Sequence, residues 1–260
     1  MQRVMFHSTI FGPIRSRRLG VSLGVNLSPD DGKTCTFDCL YCEAGFNAQG
    51  TGTTGLPPRQ VVLDMLEHRL DEMSRAGEPL DVITFSGNGE PTIHPEFPEI
   101  IDGVIALRDR FYPDAKVSVL SNSTRLSSPR VVEALRRVDN PIMKLDSTDE
   151  SVMRLIDRPV SPSFSSEGVV DLLARHLSGV AIIQTMLLRG SHDGTTVDNT
   201  SPDQIEGLIR AITRIRPRSV MIYSIDRPTP EKDLRRVERD ELIEIAEHIS
   251  SATGVPVSVA

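Results

Sequence analysis

The chain has 260 residues, 38% of them hydrophobic, 25% charged and 4% aromatic, with no tryptophan, three cysteines and a net charge of −7. These proportions are ordinary for a globular protein and exclude a disordered chain or a collagen-like repeat, while an odd count of three cysteines argues against a disulfide framework. No stretch reaches the roughly 20 apolar residues of a membrane helix, and residues 1–20 lack the apolar block of a secretory signal, so the chain is expected in the cytoplasm and off the membrane.

In chain order, residues 1–20 form a basic N-terminal arm with Arg3, Arg15, Arg17 and Arg18 and no acid. Such an arm is either a solvated, salt-bridged face or a local anion site. The acidic balance of the remainder argues against an extended nucleic-acid surface. Beyond the arm, apolar patterning predicts strands at 21–27, 81–85, 116–120, 141–145, 180–188, 219–225 and 255–259. Helices are predicted at 59–74, 96–111, 129–138, 165–177, 202–215 and 233–251. Several strands are nearly continuous apolar runs, as expected for strands covered on both faces. Ser128 and Ser201 each put an N-cap hydroxyl ahead of a proline, and Gln204 is spaced to complete a capping box.

No linker divides the chain, so residues 1–260 read as a single domain. The pattern is six strand–helix units and a seventh strand. Right-handed crossovers would wrap these units into a partial barrel, although a doubly wound sheet obeys the same local rules. Either architecture puts ligand sites in the loops at the carboxyl ends of the strands.

All three cysteines fall in one such loop, after the first predicted strand, as Cys35, Cys39 and Cys42 in a C-x3-C-x2-C spacing. Soft thiolates gathered in one short loop suit zinc, copper(I) or an iron–sulfur centre. A four-iron cubane normally takes four protein ligands, so three would leave one iron open. A structural zinc completed by His7 or His94 is the alternative, although such sites usually present paired knuckles.

With Tyr41 before its third cysteine, this loop resembles the signature of the radical S-adenosylmethionine (radical SAM) superfamily, and the resemblance spans the chain. It implies an α/β fold, a partial (β/α)6 TIM-like barrel with an N-terminal arm and a C-terminal extra strand. It also implies a [4Fe-4S] cluster on Cys35, Cys39 and Cys42, with S-adenosyl-L-methionine chelating the fourth iron. The implied reaction is reductive cleavage of that cofactor to a 5′-deoxyadenosyl radical, which abstracts hydrogen from a substrate. A reductant such as flavodoxin or ferredoxin is the implied partner.

After the second predicted strand, Gly87-Asn88-Gly89-Glu90 resembles the family's Gly-Gly-Glu segment, which binds the cofactor's amino group, with Asn88 in place of the first glycine. The same resemblance implies cofactor contacts from Tyr41, from Ser121 and Asn122 ending the third strand, and from Asp146 ending the fourth. Lys144 would share the face of Asp146 in an unbroken strand. Gln184 interrupts an apolar strand and either satisfies a core neighbour or meets cofactor. Tyr223 lies in 221–225, whose backbone would contact adenine. Residues 189–200 are polar and long for an α/β connection, which suggests a binding loop or lid. His94 is a helix-entry residue close enough to approach the site.

Residues 12–20 and 23–27 resemble the short, single-cluster group related to wyosine-tRNA synthetases. Unlike the true ring-forming synthetases, this chain has no cysteines for an auxiliary cluster and no basic RNA-binding extension. The substrate expected is a small molecule or nucleotide. The alternatives are an activase that abstracts hydrogen from a glycine of a protein partner, a wyosine-type tRNA-modifying enzyme, or a non-enzymatic electron-transfer or zinc-binding module.

Overall fold

The computed structural model describes residues 4–16 and 19–260. The sheet grows from β2 (Gly20–Val25), which pairs in parallel with β3 (Val82–Phe85), and the run continues through β4 (Lys116–Ser121), β5 (Asn140–Lys144) and β6 (Ile182–Met186). It ends with β9 (Ser219–Tyr223) and β11 (Val257–Val259). Each connection carries a helix: α1 (Arg59–Ala76), α2 (Phe97–Phe111), α3 (Pro129–Arg137), α4 (Glu150–Ile156) with α5 (Ser166–His176), α6 (Pro202–Ile215) and α7 (Arg239–Thr253). Seven parallel strands with helical crossovers make a curled half-barrel, the partial TIM-like barrel implied by the resemblance.

Strand alternation separates two faces. Leu23, Val25, Ile83, Phe85, Val117, Val119, Met143, Ile183, Val220 and Ile222 all belong to the core shared with the helices. The intervening residues face inward and are more polar. Ser22 and Thr84 share a hydroxyl–hydroxyl bond at 2.8 Å, and Asn140 Nδ2 donates to Ser118 Oγ at 2.9 Å. Lys144, Gln184 and Met221 stand in adjacent register at the carboxyl end.

Several expectations change. Part of the basic arm is a strand, β1 (Ile10–Ser16), which caps the sheet edge antiparallel to β2 and leaves Arg15 exposed opposite Val21. Arg3, Arg17 and Arg18 lie outside the described residues. Residues 189–200 are not a loose loop: β7 (Leu188–His192) and β8 (Thr195–Asp198) form a hairpin, joined by β10 (Leu234–Arg236) into a small second sheet. There Gly190, at φ +136°, lets the 233–234 backbone pass where a Cβ would sit 2.1 Å from the Asp233 carbonyl oxygen. Its pairing takes 234–236 out of the predicted last helix, which starts at Arg239. Pro129 and Pro202 do open their helices, but the Ser128 and Ser201 side chains make no cap bond. Gln204 accepts from Ser147 Oγ at 2.6 Å, so no capping box forms. Among the described residues no helix is long and apolar enough to cross a membrane.

Candidate functional site

The cysteine loop is fastened at both ends. Thr34 donates its N–H to the Asn88 carbonyl at 3.1 Å and its carbonyl accepts from Glu90 N–H at 3.0 Å, a bridge that presses Thr34 onto Gly89. A Cβ at Gly89 would lie 1.8 Å from the Thr34 carbonyl oxygen, so only glycine fits. Farther along, Asp38 and Leu40 donate to the carbonyls of Asp157 and Ile156, at 3.1 and 2.9 Å. The fully buried Leu40 packs with Ile156, Met186, Leu188 and Val197 in a second apolar cluster. Apolar burial of Leu40 therefore holds the segment between Cys39 and Cys42 against β6, the hairpin and α4.

Cys39 is buried, while Cys35 and Cys42 are partly exposed. The Cys35 Sγ accepts from Phe37 N–H at 3.4 Å and from Asn122 Nδ2 at 3.6 Å. Burial, reinforced by the charge of Glu90, pushes the Cys35 thiol up to about 12, and burial pushes Cys39 well above the usual thiol range. Such cysteines stay protonated until a metal centre binds their thiolates. Among the described residues no three His, Cys, Asp or Glu side chains converge tightly enough to hold a single metal ion. Three soft sulfurs in one loop are a donor set that suits an iron–sulfur cluster. Lys33, which sequence reasoning passed over, is buried inside the same loop. Burial would lower its pKa, but the three cysteines and Asp38 outweigh that and raise it.

Glu90 is the hub of the next segment. Its Oε1 accepts from the Thr92 N–H and hydroxyl and from Ser121 Oγ at 2.7 Å, and its Oε2 accepts from Asn122 N–H at 2.7 Å. Burial raises its pKa, and these donors oppose the rise. The structure thus joins Glu90, Ser121 and Asn122 into one network and ties it to Cys35. Gly87 takes φ +153° and packs where a Cβ would sit 2.3 Å from Asn26 Oδ1. The Asn88 side chain points elsewhere: Oδ1 accepts from Phe6 N–H at 2.9 Å, while Nδ2 donates to the Phe6 carbonyl at 2.8 Å and the Pro29 carbonyl at 2.9 Å. Asn88 can offer a ligand only backbone, because its amide clasps the N-terminal segment.

A third group lies across from the loop. The Tyr41 hydroxyl donates to Asp146, whose same oxygen pairs with the Lys144 ammonium; Lys144 also pairs with Asp157 at 3.0 Å and stands 4.5 Å over the Tyr41 ring. Burial would lower Lys144, but Asp146 and Asp157 raise it far above its ordinary value. With two carboxylates around one ammonium, burial pushes Asp157 up to about 7. Asn199, at the hairpin base, donates to the carbonyls of Asp146 and Met186 at 2.8 and 2.7 Å. Gln184 is buried in register between Lys144 and Met221. Tyr223 is half-buried, and its carbonyl already accepts from Leu187 N–H at 2.8 Å. His94 belongs to the scaffold: Nε2 lies 2.9 Å from the Pro57 carbonyl oxygen and Nδ1 accepts from Glu96 N–H. Asp157 and Asn199 gave no sequence signal because they come from segments read as connections.

The family model for the radical SAM superfamily matches residues 31–198, from just before the cysteine loop to the hairpin. The chain belongs to the radical SAM superfamily. Among relatives of this radical SAM protein, a UPF0026 protein of Helicobacter pylori is 28% identical over 236 residues, covering 90% of this chain and 71% of the relative. A UPF0026 protein of Synechocystis sp. is 28% identical over 278 aligned positions, covering 96% of each chain. The crystal structure of a radical SAM methyltransferase from Sphaerobacter thermophilus superposes with a TM-score of 0.66 at 16% identity, over 92% of this chain and 65% of that one. At that identity the likeness speaks for the barrel. These matches support the superfamily and not the narrower wyosine-related group.

Proposed function

We propose that this radical SAM chain is an enzyme that holds a [4Fe-4S] cluster on Cys35, Cys39 and Cys42 and cleaves S-adenosyl-L-methionine beside it, acting on a small molecule or nucleotide. When bound, the cluster supplies one electron to the sulfonium of S-adenosyl-L-methionine, breaking a carbon–sulfur bond to give methionine and a 5′-deoxyadenosyl radical that takes hydrogen from substrate. The observation that carries this reading is the joining of the cysteine loop to Glu90 through the Thr34–Gly89 bridge. That bridge brings the start of the cysteine loop beside the buried Glu90 carboxylate, which supports a shared site. The Thr92, Ser121 and Asn122 donors hold Glu90 in place, where it can face an ammonium of the cofactor. Asn122 spans Glu90 and Cys35 and would keep the two in register. Tyr41, Asp146, Gln184 and Tyr223 would line the far side towards ribose, adenine or substrate. The small sheet of β7, β8 and β10 follows the carboxyl ends of β6 and β9 in the chain. A one-electron donor of the flavodoxin or ferredoxin type would reduce the site.

The test is anaerobic reconstitution with iron and sulfide, followed by dithionite and S-adenosyl-L-methionine. The expected result is a brown protein with about four irons per chain that releases 5′-deoxyadenosine, and a Cys39→Ala variant that releases none. A colourless protein holding stoichiometric zinc and forming no 5′-deoxyadenosine would overturn the reading.

A further inference from the structure

Two lysines near the cysteine loop, the buried Lys33 and the largely buried Lys144, are matched very differently. Lys144 pairs with two carboxylates, Asp146 and Asp157, and is the one cation paired with them among the described residues. Lys33 has no such pair. Its side chain is 1% exposed, and its only carboxylate neighbour among the described residues is Asp38 at 3.5 Å. Asp38 is shared: its Oδ1 also accepts from Asn47 N–H at 2.6 Å, and its Oδ2 faces Arg158 at 3.5 Å. Arg158 is partly exposed and can be solvated, but the Lys33 ammonium is buried with only a 3.5 Å share of Asp38, and a weakly paired buried charge is strongly disfavoured.

The short bond of Lys33 shows what the ammonium serves. Nζ donates to the Gly45 carbonyl at 2.8 Å, and Gly45 N–H donates to the Cys42 carbonyl at 2.9 Å. Lys33 precedes the first cysteine and Gly45 follows the last. The bond therefore closes a ring of chain that contains all three cysteines. Besides Asp38, that ring holds one other carboxylate, Glu43, which is exposed and pairs with Arg227 at 2.7 Å, so the remaining groups able to carry negative charge near Lys33 are the cysteines.

We propose that Lys33 is a positioning residue for the iron–sulfur cluster: its fixed ammonium is the counter-charge of the three ligating thiolates and sets the cluster's reduction potential. The inference rests on the ligation proposed above. A cubane core of charge +2 with three thiolates is a net monoanion, and taking one electron from dithionite makes it a dianion. A fixed cation stabilises the dianion more than the monoanion, so Lys33 raises the midpoint potential and makes the cluster easier to reduce.

The experiment compares the full chain with its Lys33→Met and Lys33→Arg variants after anaerobic reconstitution. Iron and sulfide per chain are counted, and the midpoint potential is read by dithionite titration followed by electron paramagnetic resonance, without S-adenosyl-L-methionine. The expected result is a Met variant with a more negative midpoint and an Arg variant close to the parent. A Met variant that takes up no iron while the Arg variant takes up a full complement also supports the counter-charge. A Met variant at or above the parental potential, or an Arg variant that shifts or loses iron as the Met variant does, overturns it. If the parent holds no four-iron cluster, the functional reading falls and takes this inference with it; a parental cluster with an indifferent Met variant removes this inference alone.

Discussion

The two faces of the same strands teach different lessons. On the helix-covered face, residues such as Ile83, Phe85, Val117 and Val119 are fully buried and apolar, and nothing there needs a specific partner. On the inner face and the loops above it, Lys33, Asn88, Glu90, Asp146 and Asp157 are nearly as buried, with Lys144 partly so, and each is held by named donors or acceptors. The first face supplies stability through area, which tolerates many apolar solutions. The second supplies chemistry, which tolerates few, because a buried polar group that loses its partner is left desolvated and unpaired.

The sharpest way to break this division is to strike the first face and look for damage on the second. Phe85→Ala empties a fully buried site against the Phe97 ring and is expected to destabilise the chain by about 3–5 kcal/mol in urea titration. Iron bound per folded chain should stay at the parental value; a proportionate loss of iron would show that the two faces are not separable.

A smaller effect is expected from Asn88→Gly, which installs the glycine usual in the family at this position. It removes three side-chain hydrogen bonds to Phe6 and Pro29, an expected loss of about 1–3 kcal/mol. The loss should appear as faster proteolytic cutting before residue 10 and a lower melting temperature. An unchanged cutting pattern would mean that the amide clasp is not what holds the N-terminal segment.

A third effect is the pH response of Asp157. Its folded pKa, raised to about 7 by burial and by Asp146, lies above that of an unfolded aspartate, about 3.9. Folding therefore takes up a proton between those values. The stabilising contribution is full below pH 4 and is lost as pH rises towards 7, at no more than about 1.4 kcal/mol per pH unit. Asp157→Asn should flatten that part of the stability profile of the metal-free chain, measured by denaturant titration from pH 4 to 8. A profile that keeps the parental slope would assign the proton to another group.

Legibility divides along the same line. The cysteine spacing and the Gly89-Glu90 pair were readable because a metal loop and a tight turn depend on residues close in sequence. The parallel strands and most helices were readable because their apolar periodicity repeats over many residues. The narrower expectations failed where partners are remote: the Ser128 and Ser201 hydroxyls lie at the predicted helix starts yet cap nothing, and Gln204 serves Ser147 instead.

The sequence by itself determined the alternation of strands and helices, the placement of three soft ligands in one loop and, through these, membership of the superfamily. Only the tertiary structure decided that residues 189–200 pair with 234–236 as a second sheet, that Asn88 serves the N-terminal segment, and that Lys33 and Lys144 receive unequal carboxylate compensation. The physical reason is range. Turn chemistry and hydrophobic period act over a few residues, whereas burial and charge pairing depend on segments brought together from more than a hundred residues away, as Tyr41 and Asp146 are.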